Sequence, residues 1–465
     1  MTTLFYGLQI GINGILAQQK ALDVTGHNIA NVNTPGFTRQ EAIFVSTASE
    51  SIPGFNRSAG AQIGSGVTIE KVQRVRDEFI DAQIRNESSL GGYWESKRDA
   101  LGRVEGILGE PSDYGLRATM DKFWQAWQEL SKNPESMAVR TVVRSSAQAL
   151  TDTFHQFDRQ ISAYLTDLNS SLTVKVNEVN AAVDQIAALN KQIVGAEISG
   201  DKANDLRDKR ELMQDTLSKL INFSYTEDSL GNVNVQVAGQ NVVSGATATH
   251  LAVDMTTFAL SVGGFAVSPT AGSVKGRIDS IADVTALRDK VDDLASALVG
   301  EVNRVHQDGY YLPEPMTTDG NFFDPANITA EKISLLQGIE DGDLNLIAAS
   351  KYADSTGDGS NALDLYQVNS TKLADLGNVT LGDHYRAIIA KLGVDSRSAS
   401  DMVESQDILV SSLDTRKQET SGVSLDEEMA NLIKFQNAYN AAARLVTTID
   451  EMMEVVVNRM GLVGR

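Results

Sequence analysis

The side chains best suited to chemistry are scattered along the sequence. Of the five histidines (His27, His155, His250, His306 and His384), no two share the i, i+3 or i, i+4 spacing that would hold a metal from one helix. There is no cysteine, which removes disulfides, thiolate catalysis and the common zinc sites together. Gly64-Ser65-Gly66 lacks the strand–turn–helix frame of a hydrolase nucleophile and reads as linker, and no phosphate-cradling glycine motif is present. Asp354, Thr356, Asp358 and Gly359 imitate the front of a calcium loop, but its twelfth position is Leu365, where a bidentate carboxylate is required. That stretch reads as a turn followed by a Ser/Asn helix cap. The Asp205-Leu206-Arg207-Asp208-Lys209-Arg210 run reads as a solvated helix face laced by short-range pairs such as Asp205–Lys209. Trp124 and Trp127 read as core. The residues therefore argue against an enzyme, and no catalytic residue, cofactor or metal is expected.

Bulk composition narrows the classes further. At 465 residues the chain exceeds one compact core, so two to four domains are expected. Forty basic residues against sixty-one acidic ones give a net charge of −21, which repels phosphate backbones and anionic membranes. Nucleic acid is not an expected partner. No stretch reaches about 18 uninterrupted apolar residues, so no membrane span is expected. Met1–Gln19 is uncharged, yet it has no basic leader or small-x-small cleavage site and is interrupted by Gln9, Asn13, Gln18 and Gln19. Export, if it occurs, would not use a cleaved signal.

The elements that carry these residues are mostly helical. A first helix ends near Asn28–Asn33, stopped by Asn33-Thr34-Pro35-Gly36, where Pro and Gly fit the centre of a type II turn. Extended segments follow over Ala42–Val45 and Val67–Val72, separated by a Gly/Ser/Pro-rich loop. Helices are expected over Arg76–Leu108, with Gly91-Gly92 as a weak point, and over Leu116–Leu130. A third runs from beyond Pro134 to Ile193, several times the usual length of about 11–12 residues. Periodicity lapses over Gly195–Asp201 and resumes at Asn204–Leu220. Asn222–Gly276 is rich in Val, Thr, Gly and Ser, with Val233, Val235 and Val237 alternating; Gly231-Asn232, Gly239-Gln240 and Gly263-Gly264 are spaced as hairpin turns. Ile278–Gln307 returns to helix, and Asp308–Ser360 is loop-rich. Further helices are expected over Asn361–Leu376, His384–Leu392, Ser396–Arg416 and from Leu425 onward.

The two ends carry matching stripes. Leu432, Phe435, Tyr439, Ala442, Val446, Ile449, Met453, Val456 and Met460 alternate in steps of three and four, the a/d pattern of a helix that lies along another helix. Met1, Phe5, Leu8, Ile12, Ile15, Gln19, Leu22, Gly26 and Ile29 follow the same alternation, with Gln19 and Gly26 out of character. The expected interface residues are Phe5, Leu8, Ile12, Ile15, Leu22 and Ile29 at one end. At the other they are Leu432, Phe435, Tyr439, Val446, Ile449, Met453 and Val456.

Asn28-Ile29-Ala30-Asn31-Val32-Asn33-Thr34-Pro35-Gly36-Phe37 resembles the N-terminal signature of bacterial flagellar axial proteins of rod, hook and hook–filament junction. Ser421-Gly422-Val423-Ser424-Leu425-Asp426-Glu427-Glu428-Met429-Ala430-Asn431-Leu432-Ile433, followed by Gln436-Asn437-Ala438-Tyr439, is similar to the hook-associated protein 1 family. So are Asn204–Arg210 before the β-rich stretch and Glu301–His306 after it. Phe37 and Phe435 stand where many relatives carry Tyr, which keeps the ring and loses a hydroxyl. The chain is shorter than the longer members and shows one clear β-rich insertion.

The resemblance implies a ring of identical subunits at the junction of hook and filament, exported through the flagellar type III apparatus to the cell exterior. Implied partners are the hook protein, a second junction protein on the filament side, other copies of the chain and an export chaperone. The expected fold is mainly α with a β-rich insertion. Terminal coiled-coil helices over 1–35 and 425–465 would join an elongated helical domain over 36–221 and 277–424, loop-rich at 308–360, and a small β domain over 222–276. A hook or distal rod protein is the alternative within this class; the Ser421–Ile433 run argues against it. A peptidoglycan-cutting enzyme on an axial scaffold would need a carboxylate pair, and Glu227, Asp228 and Asp254 lack a supporting pattern. A generic coiled-coil adhesin would leave the signatures at both ends unexplained.

Overall fold

A computed structural model describes residues 2–51, 62–110, 112, 115–198, 200, 202–312 and 320–458. In chain order, α1 spans Thr2–Ala30, followed by strands β1 (Gln40–Ser46), β2 (Glu50–Ser51), β3 (Gln62–Ile63) and β4 (Val67–Arg74). Helices α2 (Glu78–Leu108), α3 (Leu116–Lys132), α4 (Met137–Glu197) and α5 (Asn204–Leu220) come next. The β-rich stretch holds β5 (Ser224–Glu227), β6 (Val233–Val237), β7 (Gln240–Ser244), β8 (Thr247–Ala248), β9 (Leu251–Val253), β10 (Leu260–Val262) and β11 (Phe265–Val267). Then follow α6 (Ser273–Gln307), α7 (Gln337–Glu340), α8 (Ser360–Gln367), α9 (Leu381–Ser421) and α10 (Leu425–Asn458). The fold is mainly helical, with long terminal helices in contact with each other and small antiparallel sheets in the middle.

Local chemistry sets many of these boundaries. Asp77 caps α2 by accepting from the Phe79 and Ile80 amides, and Gly109 ends it with φ +56°. Ser136 caps α4 and Thr380 caps α9. Thr34-Pro35-Gly36-Phe37 closes as the expected turn, with Phe37 N–H donating to Thr34 O at 3.1 Å and Gly36 at φ +78°. At 61 residues α4 is about 90 Å long, the spine of the molecule.

Two expectations about helix continuity fail for reasons of packing. Gly91-Gly92 does not weaken α2. A side chain at Gly92 would sit 2.2 Å from Lys219 O, so the glycine lets the end of α5 approach the backbone of α2. The expected break near Gly393 is absent because Leu392, Ser396 and Ala399 continue a buried stripe through it, and tertiary burial overrides the weak propensity. The hairpin expected at Gly239-Gln240 turns one residue earlier, at Ala238-Gly239, both with positive φ.

The sheets are β5-β6-β7-β8 and β11-β10-β9, with β1–β4 and β2–β3 as separate hairpins. Val233, Val235 and Val237 face inward as their alternation predicts. Two asparagines of α4 fasten the sheets to the spine. Asn180 exchanges hydrogen bonds with the Leu251 amide and carbonyl at 2.7 and 2.9 Å. Asn190 accepts from Val233 N–H at 3.0 Å and donates to Val233 O and Gly245 O. A buried amide aimed at an open strand edge satisfies donors and acceptors that a sheet cannot satisfy alone.

Trp124 and Trp127 lie in the core, with Phe123, Phe322 and Phe323. The loop carrying Phe322 and Phe323 is held by two side chains one turn apart on α6. Asn303 accepts from both phenylalanine amides and donates to Phe323 O. Ala348 N–H donates to His306 Nε2 at 2.9 Å, so that nitrogen is unprotonated, and Nδ1–H donates to Gly320 O at 2.6 Å.

Protonating His306 would set two donors against each other in a site without solvent, and burial lowers its pKa from 6.5 to about 4. The folded value lies below the unfolded one. The stabilisation is therefore complete above pH 6.5 and is lost as pH falls through about 4, a loss of roughly 3 kcal/mol. His306→Gln keeps a donor and an acceptor without a titrating proton. We expect it to be the less stable chain at pH 7 and the gap to narrow by roughly 3 kcal/mol at pH 4. Thermal unfolding of both chains at the two pH values measures this; an unchanged gap would rule the argument out.

Candidate assembly interface

α1 and α10 lie against each other. Leu432, Phe435, Tyr439, Val446, Ile449, Met453 and Val456 are all half-buried or buried, with Ile449 at 5% exposure. On the α1 side the closest approach is made by glycines. Added side-chain carbons at Gly7, Gly11 and Gly14 would meet Ile449 Cδ1 at 2.9 Å, Val446 Cγ2 at 2.6 Å and Ala442 Cβ at 3.4 Å. Ala17, Ala21, Thr25 and Asn28 continue a buried small-residue face. The predicted stripe of Leu8, Ile12, Ile15, Leu22 and Ile29 sits one position, or about 100°, around the helix. Its members are half-buried, apart from Ile12 at 38% exposure. The cause is steric: where two helices approach most closely, only residues without bulk fit, so the bulky positions lie beside the seam. The Phe5 side chain, Met1 and Met460 lie outside the described residues.

Hairpin β1–β4 lies along this pair. Asn13 Nδ2 donates to Ser65 O at 3.0 Å near the hairpin's far end, where Ser65 Oγ bonds Thr47. At its near end Asn28 donates to Gln40 O and accepts from Gln40 N–H. The lengths agree: fifteen helical residues from Asn13 to Asn28 span about 22 Å, and seven extended steps from Gln40 to Thr47 span about 23 Å. Phe44 of β1 packs on Phe435 of α10 with ring centroids 5.9 Å apart.

The near end is a polar knot. Glu428, 2% exposed, accepts from Asn28 Nδ2 at 3.1 Å and from Arg39 Nε at 2.9 Å; Arg39 also reaches Glu427 at 2.8 Å. Arg39 N–H donates to Ser421 O at 3.0 Å. Residues 400 positions apart are thus joined through one carboxylate.

The 205–210 run does not behave as a solvated helix face. Asp208 and Arg210 are buried, and the charges leave the helix instead of pairing along it. Asp205 accepts from Gln40 and pairs with His27; Asp208 accepts from Thr38 N–H at 2.9 Å and from Arg74 at 2.8 Å. Glu211 takes Arg74 and Arg76, and Asp215 takes Arg85 at 2.7 Å and Lys417. On the other side Arg207 pairs with Glu197 and Glu227, and Arg210 with Glu227, Asn190 and Gly231 O. The Arg207 hydrogen bonds pull the Glu197 carboxyl down to about 2 against its burial. Burial pushes Asp81 up, but Arg76 and Lys417 outweigh it and leave its pKa low. A cleft of about 770 Å³ lies beside this network, between the Val32–Arg39 loop, α5 and the end of α9. Among the described residues no cluster of histidine and carboxylate groups could hold a metal ion.

Paired terminal helices with a hairpin laid along them are keyed by polar residues to a separate helical body. The matches to known families carry the same division. Residues 8–38 match the model "Flagella basal body rod protein", and residues 417–460 match "Flagellar basal body rod FlgEFG protein C-terminal". The class is therefore that of axial structural proteins of the bacterial flagellum. Residues 101–323 match "Flagellar hook-associated protein FlgK helical domain". Flagellar hook-associated protein 1 of Bacillus subtilis is 33% identical over the full length of both chains; that of Salmonella typhimurium is 24% identical over 96% of this chain and 98% of its own. With identity of that extent, the chain belongs to the flagellar hook-associated protein 1 family and is structural, not an enzyme. The solved flagellar hook junction protein FlgK from Burkholderia pseudomallei has the same fold, with a TM-score of 0.65 at 15% identity, covering 74% of this chain and all of that one.

The absence of cysteine makes the seam testable. Gly14→Cys with Ala442→Cys would place two sulfur-bearing carbons near the required separation of about 3.5–4.5 Å. We expect mild oxidation to close this pair within one chain and to leave Gly26→Cys with Ala442→Cys open, since Gly26 has no neighbour within 4 Å. Gel mobility under non-reducing conditions distinguishes them. Equal cross-linking of both pairs would remove the register described here.

Proposed function

We propose that the chain forms the junction between hook and filament, as a ring of identical subunits that assemble outside the cell through their terminal helices. The observation that carries this reading is the separation of the two ends from the rest. Among the described residues, every member of the main apolar core falls between Ala100 and Ala399, and none comes from α1 or α10. A body with its own core can fold without the terminal pair, which is free to order when neighbouring copies cover it. The division expected from the sequence supports the same reading, with terminal helices over 1–35 and 425–465, a helical body, and a β unit over 222–276.

The terminal pair leaves apolar surface for those neighbours. Met429 and Ile433 lie on one side and the back of α10; Leu445 and Met452 share the opposite flank, one heptad apart. Leu16 and Ile12 are exposed on α1. Side chains of this kind on both flanks suit a subunit with a neighbour on each side. Leu8, Ile15, Leu22 and Ile29 extend that surface, while the α10 stripe holds each pair together. Hook protein on one side, a second junction protein on the other, an export chaperone and type III secretion belong to the same reading. No helix among the described residues is long and apolar enough to cross a membrane.

Deleting the chain from its bacterium is expected to leave hooks without filaments and filament subunit lost to the medium. Absent hooks would instead favour the hook or rod alternative. Val446→Asp or Ile449→Asp is expected to abolish incorporation while residues 78–312 keep their hydrogen-exchange protection. In the free wild-type chain, residues 1–30 and 430–465 are expected to exchange fast. Normal filaments on either variant would show that the α10 stripe is not needed for assembly.

A further inference from the structure

Four methionines stand exposed among the described residues, and they fall into two groups. Met137 at 46% and Met255 at 40% belong to α4 and to the β9–β10 connection, on the body. Met429 at 51% and Met452 at 47% lie on α10, on opposite sides of its seam with α1. In heptad terms Met429 and Met452 take the two positions that border the a/d stripe. Each therefore stands where a helix from a neighbouring copy would close against the pair. By contrast Met120 is 2% exposed within the core.

We infer that Met429 and Met452 form a peroxide-sensitive modification site that controls whether α10 accepts a second copy of this chain. The inference rests on the assembly reading of the terminal helices. The sulfur lone pair attacks one peroxide oxygen, an S–O bond forms and the O–O bond breaks. Sulfur loses two electrons; the departing oxygen takes them, with a proton, and leaves as water. The product sulfoxide is polar, so a flank that was apolar now carries a group that loses its water on burial. A flexible thioether adapts to a neighbouring surface, and the sulfoxide at the same place opposes it. Oxidation of Met137 or Met255 changes no surface of the terminal pair. With no cysteine in the chain, the thioethers are its reactive sulfur.

The experiment uses the full chain, untreated or exposed to hydrogen peroxide, added to isolated hooks from cells deleted for it. Peptide masses report sulfoxide at each methionine, and sedimentation with hooks reports assembly. Oxidation at both α10 positions is expected to reduce sedimented protein by about tenfold or more. Met453→Leu is placed in every chain exposed to peroxide, so that the thioether of the seam itself adds nothing. On that background the Met429→Leu/Met452→Leu chain, compared with its own untreated sample, is expected to fall by less than about twofold under the same treatment. The Met137→Leu/Met255→Leu chain should show the full loss. A Met453→Leu chain that carries both sulfoxides yet sediments as before overturns the inference and leaves the assembly reading intact. So does a Met429→Leu/Met452→Leu chain that loses as much as that one. An untreated wild-type chain that does not sediment with hooks overturns both.

Discussion

A carboxylate removed from water must find a cation or a set of donors, and this requirement, applied along one short helix, positions much of the molecule. Asp205, Asp208, Glu211 and Asp215 recur in steps of three, three and four, so they share one edge of α5. That edge takes up the turn after α1, the end of β4, the start of α2 and the end of α9. Arg207 and Arg210, on the other side, hold the end of α4 and the first β turn. A buried pair such as Arg74–Asp208 adds little net stability, because desolvation offsets most of the attraction, but removing one partner costs about 3–5 kcal/mol. The effect of these pairs is therefore on arrangement: among compact packings of these helices, the ones that leave a charge unpaired are strongly penalised.

The joint between the terminal pair and the body has the same character on a smaller scale. Glu428 is satisfied by Asn28 and Arg39, from the other end of the chain. Asn28 in turn fixes where β1 begins. Three stretches that look unrelated in sequence, around Asn28, Asp208 and Glu428, meet within one polar region.

Periodic features were legible before the structure. The long helix α4, the alternating valines of β6 and the pairing of the two ends all follow from bulk repeating at a fixed interval. What periodicity misses is contact made by small or polar residues. The α1 face that meets α10 consists of Gly7, Gly11, Gly14 and their successors, which look featureless beside Leu8, Ile12 and Ile15. The charges of α5 invited pairing along the helix because partners close in sequence are visible, whereas Arg74 is 134 residues from Asp208. Likewise Asn180, Asn190, Asn303 and His306 do their work by binding backbone, and no spacing rule marks a side chain whose partner is a distant amide.

These two kinds of contact divide the molecule by how readily each part can be released. The apolar core of the body loses its hydration cost only while intact, and exposing it is expensive in any setting. The terminal pair is joined to that body through hydrogen bonds and ion pairs, for which water is a fair substitute. Opening the joint in a free subunit therefore sacrifices little, and the freed helices regain conformational entropy. In the assembly we propose, the balance would change: Leu16, Met429, Leu445 and Met452 would lose contact with water, and Glu428 would have no solvent to replace Asn28 and Arg39. Bonds that are dispensable in solution would then become obligatory, because a buried carboxylate without partners is strongly penalised.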